Sequence, residues 1–512
     1  MIETQLFFDA YSPDTFLQWV DNLSTTRDGN RAPVDANLAA DQVRYLATYI
    51  GRDLGAKSIV AEVPYIDRHY LEEYAGYYSK TLRPPPPHAA RLHFFDQPCS
   101  SEDLDTTLLA IAAGAWGRRQ RSALSNSYLG FVVVRPLPDT PVGRTVLRTM
   151  RDAGEVSRYF RPATAIHSAH IAGIPLEVPA VAFQQQDQGV GACATTAVWA
   201  ALSTALRHIG RRGPTPLDVT QAAHRVRKLG RRLPAVDGLD ADQMAAAIDT
   251  FGLSPAPFHP TGDGGSPMFG AILKSYLASG IPVVLHVAGQ LDGHAVTAVG
   301  YSEAASDFWA LSSFGSLQVR SLRRLYVHDD RLGPYARYTC DVSDGEFVLK
   351  LLPSGDGDEW ALHLVEPLTV YSAIVPVYPK LRMTPLGLFG VAKFWQGVAK
   401  RAIRGAATSD FRIEARFELS GAFLRQLLAS SLEAGRATKF ARTAFLSRYV
   451  GIVEIAFGET PVMWVVCDAT DVNRDRSPAR STVAVIAFAD GLSEQLREIV
   501  AKLPELAGTK VV

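Results

Sequence analysis

Gln188-Gly189-Val190-Gly191-Ala192-Cys193-Ala194-Thr195-Thr196-Ala197-Val198-Trp199 is the stretch whose reading decides how the rest of the chain is understood. Two glycines and polar residues lead to a cysteine, and an apolar segment follows it. Val198, Leu202, Ala205, Leu206 and Ile209 fall at helical spacing, which predicts a helix from about Cys193 to His208. Cys193 then lies in the first turn. Unpaired N–H groups and the positive end of the helix dipole favour a thiolate there. A nucleophilic thiolate needs a base, a group that orients the base and a donor for the oxyanion. The competing reading is a space-filling buried thiol.

Downstream, Ile281-Pro282-Val283-Val284-Leu285-His286-Val287 reads as a strand. A turn at 289–293 leads into a second strand that opens on His294. The hairpin presents that histidine at a strand end, on a rigid support. His286 sits mid-strand between Leu285 and Val287 and reads as a satisfied core histidine. After another turn, Phe308–Ser312 continues the sheet. The segment Arg324–Tyr335 reads as a strand ending in Asp329 and Asp330, with a Gly333-Pro334 turn. Strands are expected at Glu346–Leu352, at 360–364 and at Thr369–Pro376.

Asp292-Gly293-His294-Ala295-Val296-Thr297-Ala298-Val299-Gly300-Tyr301 resembles the histidine strand of papain-like cysteine peptidases. Gln188-Gly189 ahead of Cys193 resembles that family's oxyanion glutamine and nucleophile, and the order Gln, Cys, His, acid matches. Tyr326-Val327-His328-Asp329-Asp330-Arg331-Leu332-Gly333 is similar to the Asp-Pro-x-x-Gly segment of the C39-like bacterial branch. The resemblance covers about residues 180–340.

It implies an α+β fold with a papain-like core, in which a helix carrying Cys193 packs on an antiparallel sheet carrying His294 and Asp329. It implies Cys193 as nucleophile, His294 as base and Asp329 as the orienting acid, with Asp330 as the alternative. Gln188, with the Cys193 N–H, becomes the oxyanion donor. No cofactor or metal is implied. The expected substrate is a protein or peptide, cleaved at a peptide or isopeptide bond. Acyl transfer, glutamyl transfer, deamidation and a silent scaffold are the other readings.

Departures from the family pattern are specific. Gln188 stands five residues before the cysteine instead of six, Asp187 takes the sixth place, and Gln186 is the rival glutamine. Ala194 replaces the usual Trp or Gly, and Asp330 replaces the usual proline. Ser312-Ser313-Phe314-Gly315 lacks the amide of the Asn-Ser-Trp-Gly element.

Outward from this core, 512 residues suggest two or three domains. We divide the chain into an N-terminal α/β domain (1–165), the papain-like domain (166–380) and a C-terminal α+β domain (381–512). In the first, 58–63, 91–95 and 128–134 read as strands, the last buried on both faces. Arg91 and His93 alternate with apolar neighbours and read as half-buried strand residues in preference to a cleft lining. Strands are expected at 170–174 and 178–183, and helices at 35–54, 216–229, 240–251, 269–278 and 389–403. The 389–403 helix is expected to pack on a sheet in preference to a membrane surface.

Lys plus Arg number 52 and Asp plus Glu 52, which argues against a nucleic-acid partner. The basic clusters Arg207–Arg212 and His224–Arg232 read as solvated helix ends and loops in preference to a polyanion site. No signal peptide or membrane-spanning run is seen. The four cysteines, Cys99, Cys193, Cys340 and Cys467, lie far apart, which suits a reducing cytoplasm. The Ala- and Arg-rich composition looks bacterial. The flanking domains are the expected contact surfaces for a protein partner.

Overall fold

The computed structural model describes the chain except residues 1–2, 25–38, 115–117, 153–155, 161–162, 188–191, 227–237, 290–292, 344, 353–365, 404, 471–477 and 489–490. The expected strand at 360–364 lies outside the described residues, as do the last residues of the expected 216–229 helix.

The N-terminal part holds β1 (Gln5–Ala10), α1 (Pro13–Leu23), α2 (Ala39–Thr48), β2 (Ser58–Tyr65), α3 (Arg68–Gly76) and β3 (Ala89–Phe95). It continues with α4 (Ser101–Ala112), α5 (Arg118–Ser127), β4 (Tyr128–Val134) and β5 (Val142–Leu147). Its five strands pair in chain order and every pairing is antiparallel, so the α/β expectation gives way to α+β. The continuous apolar strands are nevertheless buried on both faces. Leu92, Phe94 and Val132 pack with Phe16 of α1 and Leu46 of α2. Phe95, Phe131 and Val133 face the other way, with Tyr70 of α3 and Leu104 of α4. Periodicity alone cannot separate such a sheet from a parallel one. Arg91 and His93 are not half-buried as expected. Both are buried and converge on Glu62, with His93 Nε2 at 3.1 Å from its carboxylate.

The middle part opens with the hairpin β6 (Ala165–Ile171) and β7 (Ile174–Ala180), then α6 (Cys193–His208), α7 (Pro216–Ala223), α8 (Ala241–Thr250), β8 (Ser254–Phe258) and α9 (Gly265–Ala278). The expected strand at 170–174 is in fact the hairpin's turn, where Ala172 and Gly173 both take positive φ. Six strands follow: β9 (Val283–Ala288), β10 (Gly293–Leu311), β11 (Leu317–Asp329), β12 (Gly333–Ser343), β13 (Glu346–Leu351) and β14 (Leu368–Val377). Each pairs with the next, antiparallel, and β14 returns to pair with β9, so the six form a closed circuit. The turn expected before Phe308 is absent. β10 runs through as one strand with register shifts near Gly300 and Glu303, as bulges produce. α6 packs on this circuit, and Thr297 Oγ1 of β10 donates to Ala197 O of α6 at 2.9 Å.

The C-terminal part holds α10 (Pro385–Ala402), β15 (Phe411–Leu419), α11 (Ser420–Leu428), α12 (Ala434–Thr443), β16 (Tyr449–Phe457), β17 (Thr460–Asp468), β18 (Thr482–Ala487), α13 (Leu492–Ala501) and β19 (Lys510–Val511). α10 buries Leu388, Phe389 and Trp395 and contacts β15 and β16, so it packs on the sheet as expected. β15 pairs in parallel with β11, which carries one sheet across the boundary placed at 381. Lys274 of α9, 2% exposed in its side chain, bonds Glu414 of β15 at 2.6 Å across the same junction.

Candidate active site

Cys193 is the first residue of α6 and is half-buried. Its N-cap, Ala192, supplies no side-chain acceptor to the first-turn N–H groups. The fold brings His294, second residue of β10, and Asp329, last residue of β11, together on neighbouring strands. His294 Nε2 lies 2.9 Å from Asp329 Oδ1 and 3.4 Å from Asp330 Oδ1. The other imidazole nitrogen, Nδ1, is buried and makes no hydrogen bond within normal limits. The Cys193 side chain is nonetheless close enough to act on that imidazole as a hydrogen-bonding neighbour.

Burial works against a charged His294. The Asp329 and Asp330 carboxylates, the hydrogen bond to Asp329 and the nearby Cys193 side chain outweigh it and raise the imidazole to about 10. Asp329 is fully enclosed, which would raise it, yet His294, the Tyr338 hydroxyl and the Arg331 N–H lower it to about 2. Tyr338 Oη donates to Asp329 Oδ2 at 2.6 Å and Arg331 N to Oδ1 at 3.0 Å. Asp330 is different. Burial pushes its carboxyl up to about 6 against the pull of His294, and its Oδ2 has no hydrogen-bond partner.

His294, Asp329 and Asp330 also place one nitrogen and two carboxylate oxygens within 4.8 Å, a donor set that could hold a divalent cation. The bonding argues for protons. Asp329 already accepts from an imidazole, a phenol and a backbone amide, and its distance to Nε2 is that of a hydrogen bond.

Gln188 lies outside the described residues, so the oxyanion role is placed on no atom. Gln186 is half-buried. Asp187 is buried and bonds Arg135 Nη1 at 3.1 Å, while Gln184 and Gln185 are committed to Glu73 and to the Val142 N–H. His286 Nδ1 bonds Ser372 Oγ at 2.5 Å, and burial lowers its pKa, in keeping with a core histidine. Burial raises the other thiols, Cys99 to about 11, Cys467 to about 12 and Cys340 further still.

Sequence reasoning missed Tyr338, and it missed the N-terminal part's hold on the acid turn. Gln42 Nε2 donates to Asp330 O at 3.0 Å and Tyr45 Oη to Pro334 O at 2.8 Å. A side chain at Gly333 would collide with the Tyr45 ring. Tyr338 sits on β12 opposite Leu325 of β11, and its hydroxyl reaches Asp329 from there, a contact that no sequence motif announces.

Replacing each aspartate by asparagine separates their roles. Asp329→Asn removes the anion bonded to His294, so the imidazole pKa should fall by more than one unit, read by NMR titration. Asp330→Asn should leave the imidazole charged at pH 7. It should also raise the melting temperature relative to wild type, and increasingly so as pH rises from about 4 to 7. The folded pKa of Asp330 lies above the ordinary carboxylate value of about 3.9, so ionising it costs stability through that window. A larger imidazole shift from Asp330→Asn would reverse the assignment.

No family model matches the chain, and no curated protein matches it.

Proposed function

We propose that the protein is a cysteine peptidase of papain-like type that hydrolyses a peptide or isopeptide bond through Cys193, His294 and Asp329. One observation carries this reading: Asp329 holds His294 by Nε2, leaving Nδ1 unbonded with the Cys193 thiol as neighbour at a helix start. An imidazolium there favours the thiolate, and Asp329 fixes the ring's tautomer and direction. The thiolate attacks the carbonyl carbon and the first-turn N–H groups of α6 steady the oxyanion. His294 gives its proton to the leaving amine, and water then hydrolyses the thioester.

The reading extends to a bacterial, cytoplasmic enzyme. No helix among the described residues is long and apolar enough to cross a membrane. Acyl or glutamyl transfer and deamidation use the same triad, and an added amine that intercepts the acyl-enzyme would select them.

The test is the alkylation rate of Cys193 by iodoacetamide from pH 4 to 9, read by peptide mass spectrometry. Cys99, Cys340 and Cys467 serve as internal controls. A plateau extending well below the free-thiol pKa of about 8.5 is expected for Cys193 alone. A Cys193 rate that rises only near that pKa would leave a scaffold as the better account.

A further inference from the structure

A second concave site, which Cys193 does not line, lies along the α6 face that carries Trp199, Ser203 and Arg207, where the N-terminal part meets it. It encloses about 250 Å³, and Arg68, Arg144, Arg207 and Arg212 all border it, with no carboxylate among its lining residues. Arg144 and Arg68 have carboxylate partners behind the wall. Arg144 bonds Asp67 at 2.7 Å and Arg68 bonds Glu72 at 2.7 Å. Arg207 and Arg212 make no ion pair or side-chain hydrogen bond among the described residues. Burial lowers the pKa of Arg207, and repulsion from Arg144 and Arg212 lowers it further.

Two histidines provide an independent pointer. His69 Nδ1 and His167 Nε2 are buried at this site without hydrogen-bond partners. His167 is 4% exposed and His69 is half-buried, with both unpaired nitrogens out of contact with solvent. Burial, the leading cause, drives both imidazoles down to about 3, so they are neutral donors or acceptors at physiological pH. Leaving two such nitrogens unpaired beside four guanidinium groups costs free energy that a bound acceptor would recover.

We propose that this pocket binds a small soluble anion bearing a phosphoryl group. The donors come from three directions: Arg68, His69 and Arg144 from the N-terminal part, Arg207 from α6, and His167 from β6. That spread suits a tetrahedral oxyanion better than a planar carboxylate. Arg207 and Arg212 together lack two negative charges, which one phosphate dianion or a diphosphate supplies. The volume admits about eight waters, enough for a diphosphate with space to spare. Trp199, Ser203 and Arg207 stand four residues apart on the α6 face that lines the site. The Arg207–Arg212 cluster, which the sequence presents as a solvated helix end, thereby acquires a ligand. The inference does not depend on the chemistry of Cys193.

The experiment is calorimetric titration of the full chain with sodium diphosphate at pH 7.5, alongside its melting temperature. Sodium chloride matched in ionic strength serves as the reference. Saturable one-to-one binding and a concentration-dependent rise in melting temperature are expected. The double variant Arg207→Gln/Arg212→Gln should bind at least about tenfold more weakly, with its unliganded melting temperature no lower than wild type, since neither side chain has a partner to lose among the described residues and the repulsion Arg207 meets from Arg144 is relieved. Citrate should bind more weakly than diphosphate. No saturable binding, or equal binding by the variant, would overturn the site. Citrate binding as tightly as diphosphate would overturn the phosphoryl assignment.

Discussion

His294→Ala is expected to lower the rate of Cys193 alkylation at pH 5 by about 30-fold or more. An ordinary thiol of pKa about 8.5 is ionised to only about one part in 3,000 at that pH. A thiolate paired with an imidazolium remains ionised there. The gain in rate is smaller than the gain in thiolate, because a thiolate of low pKa is a weaker nucleophile. With a Brønsted slope of about 0.4–0.5, about half of the gain in thiolate, counted in decades, is given back. The wild-type and variant curves should therefore converge toward pH 9, and the profile's shape is more telling than any single rate. The substitution also leaves Asp329 and Asp330 enclosed without their cation. In wild type, the His294 pKa near 10 lies above the ordinary value of about 6.5. Its stabilising contribution is therefore complete below about pH 6.5 and is lost as pH rises through 10. The variant should be less stable at pH 7 and recover as pH falls. Slow alkylation of Cys99, Cys340 and Cys467 in the same sample would show that the variant is still folded. Equal Cys193 rates in the two proteins at pH 5 would remove His294 from the reaction.

The convergence of the candidate residues His294 and Asp329, and the place of Cys193, were legible because each carries a local signature: a cysteine at a helix start, a histidine opening a strand, a pair of aspartates closing one. The choice between Asp329 and Asp330 was not. It depends on which carboxylate collects the Tyr338 hydroxyl, brought in by β12, and the Arg331 N–H of the turn itself. The β6–β7 hairpin was misplaced for a different reason. Its buried and exposed residues alternate without a break, but the turn falls at Ala172-Gly173, which lacks the Asn or Asp that usually marks one. The N-terminal sheet was misassigned because burial on both faces erases the alternation by which an antiparallel strand is recognised. The boundary at 381 likewise follows a change in local pattern that the β11–β15 pairing ignores.

These long-range pairings give the N-terminal part a role that its sequence does not declare. Gln42 and Tyr45 hold the turn after Asp329. Arg135 and Glu73 hold Gln184, Gln185 and Asp187, the residues leading toward Cys193. The candidate nucleophile and the acid are thus both braced by segments more than 50 residues away in the chain. A core cut out at 166–380 would lose both braces.

Arg135→Met tests the second brace and should destabilise the protein by about 3–5 kcal/mol at pH 8, the usual cost of breaking a buried ion pair by removing one partner. Arg135 is 1% exposed in its side chain, and Nη1 lies 3.3 Å from Glu73 and 3.1 Å from Asp187. Methionine roughly matches the stem in volume, so loss of packing is a minor part of the effect. Burial, despite Arg135, already holds Glu73 near 7, above the ordinary carboxylate range. Without the guanidinium, both carboxylates are left enclosed with like charge beside them, and the folded pKa of Glu73 rises further. Folding then takes up protons, so the variant's stability should increase as pH falls from 8 to 5.5, more steeply than wild type. Urea unfolding at the two pH values reads this directly. The gap between variant and wild type should be narrower at pH 5.5, and adding Glu73→Gln should recover part of the loss at pH 8. A gap of equal size at both pH values would mean that Arg135 acts by filling space, and that charge does not hold the segment leading to Cys193.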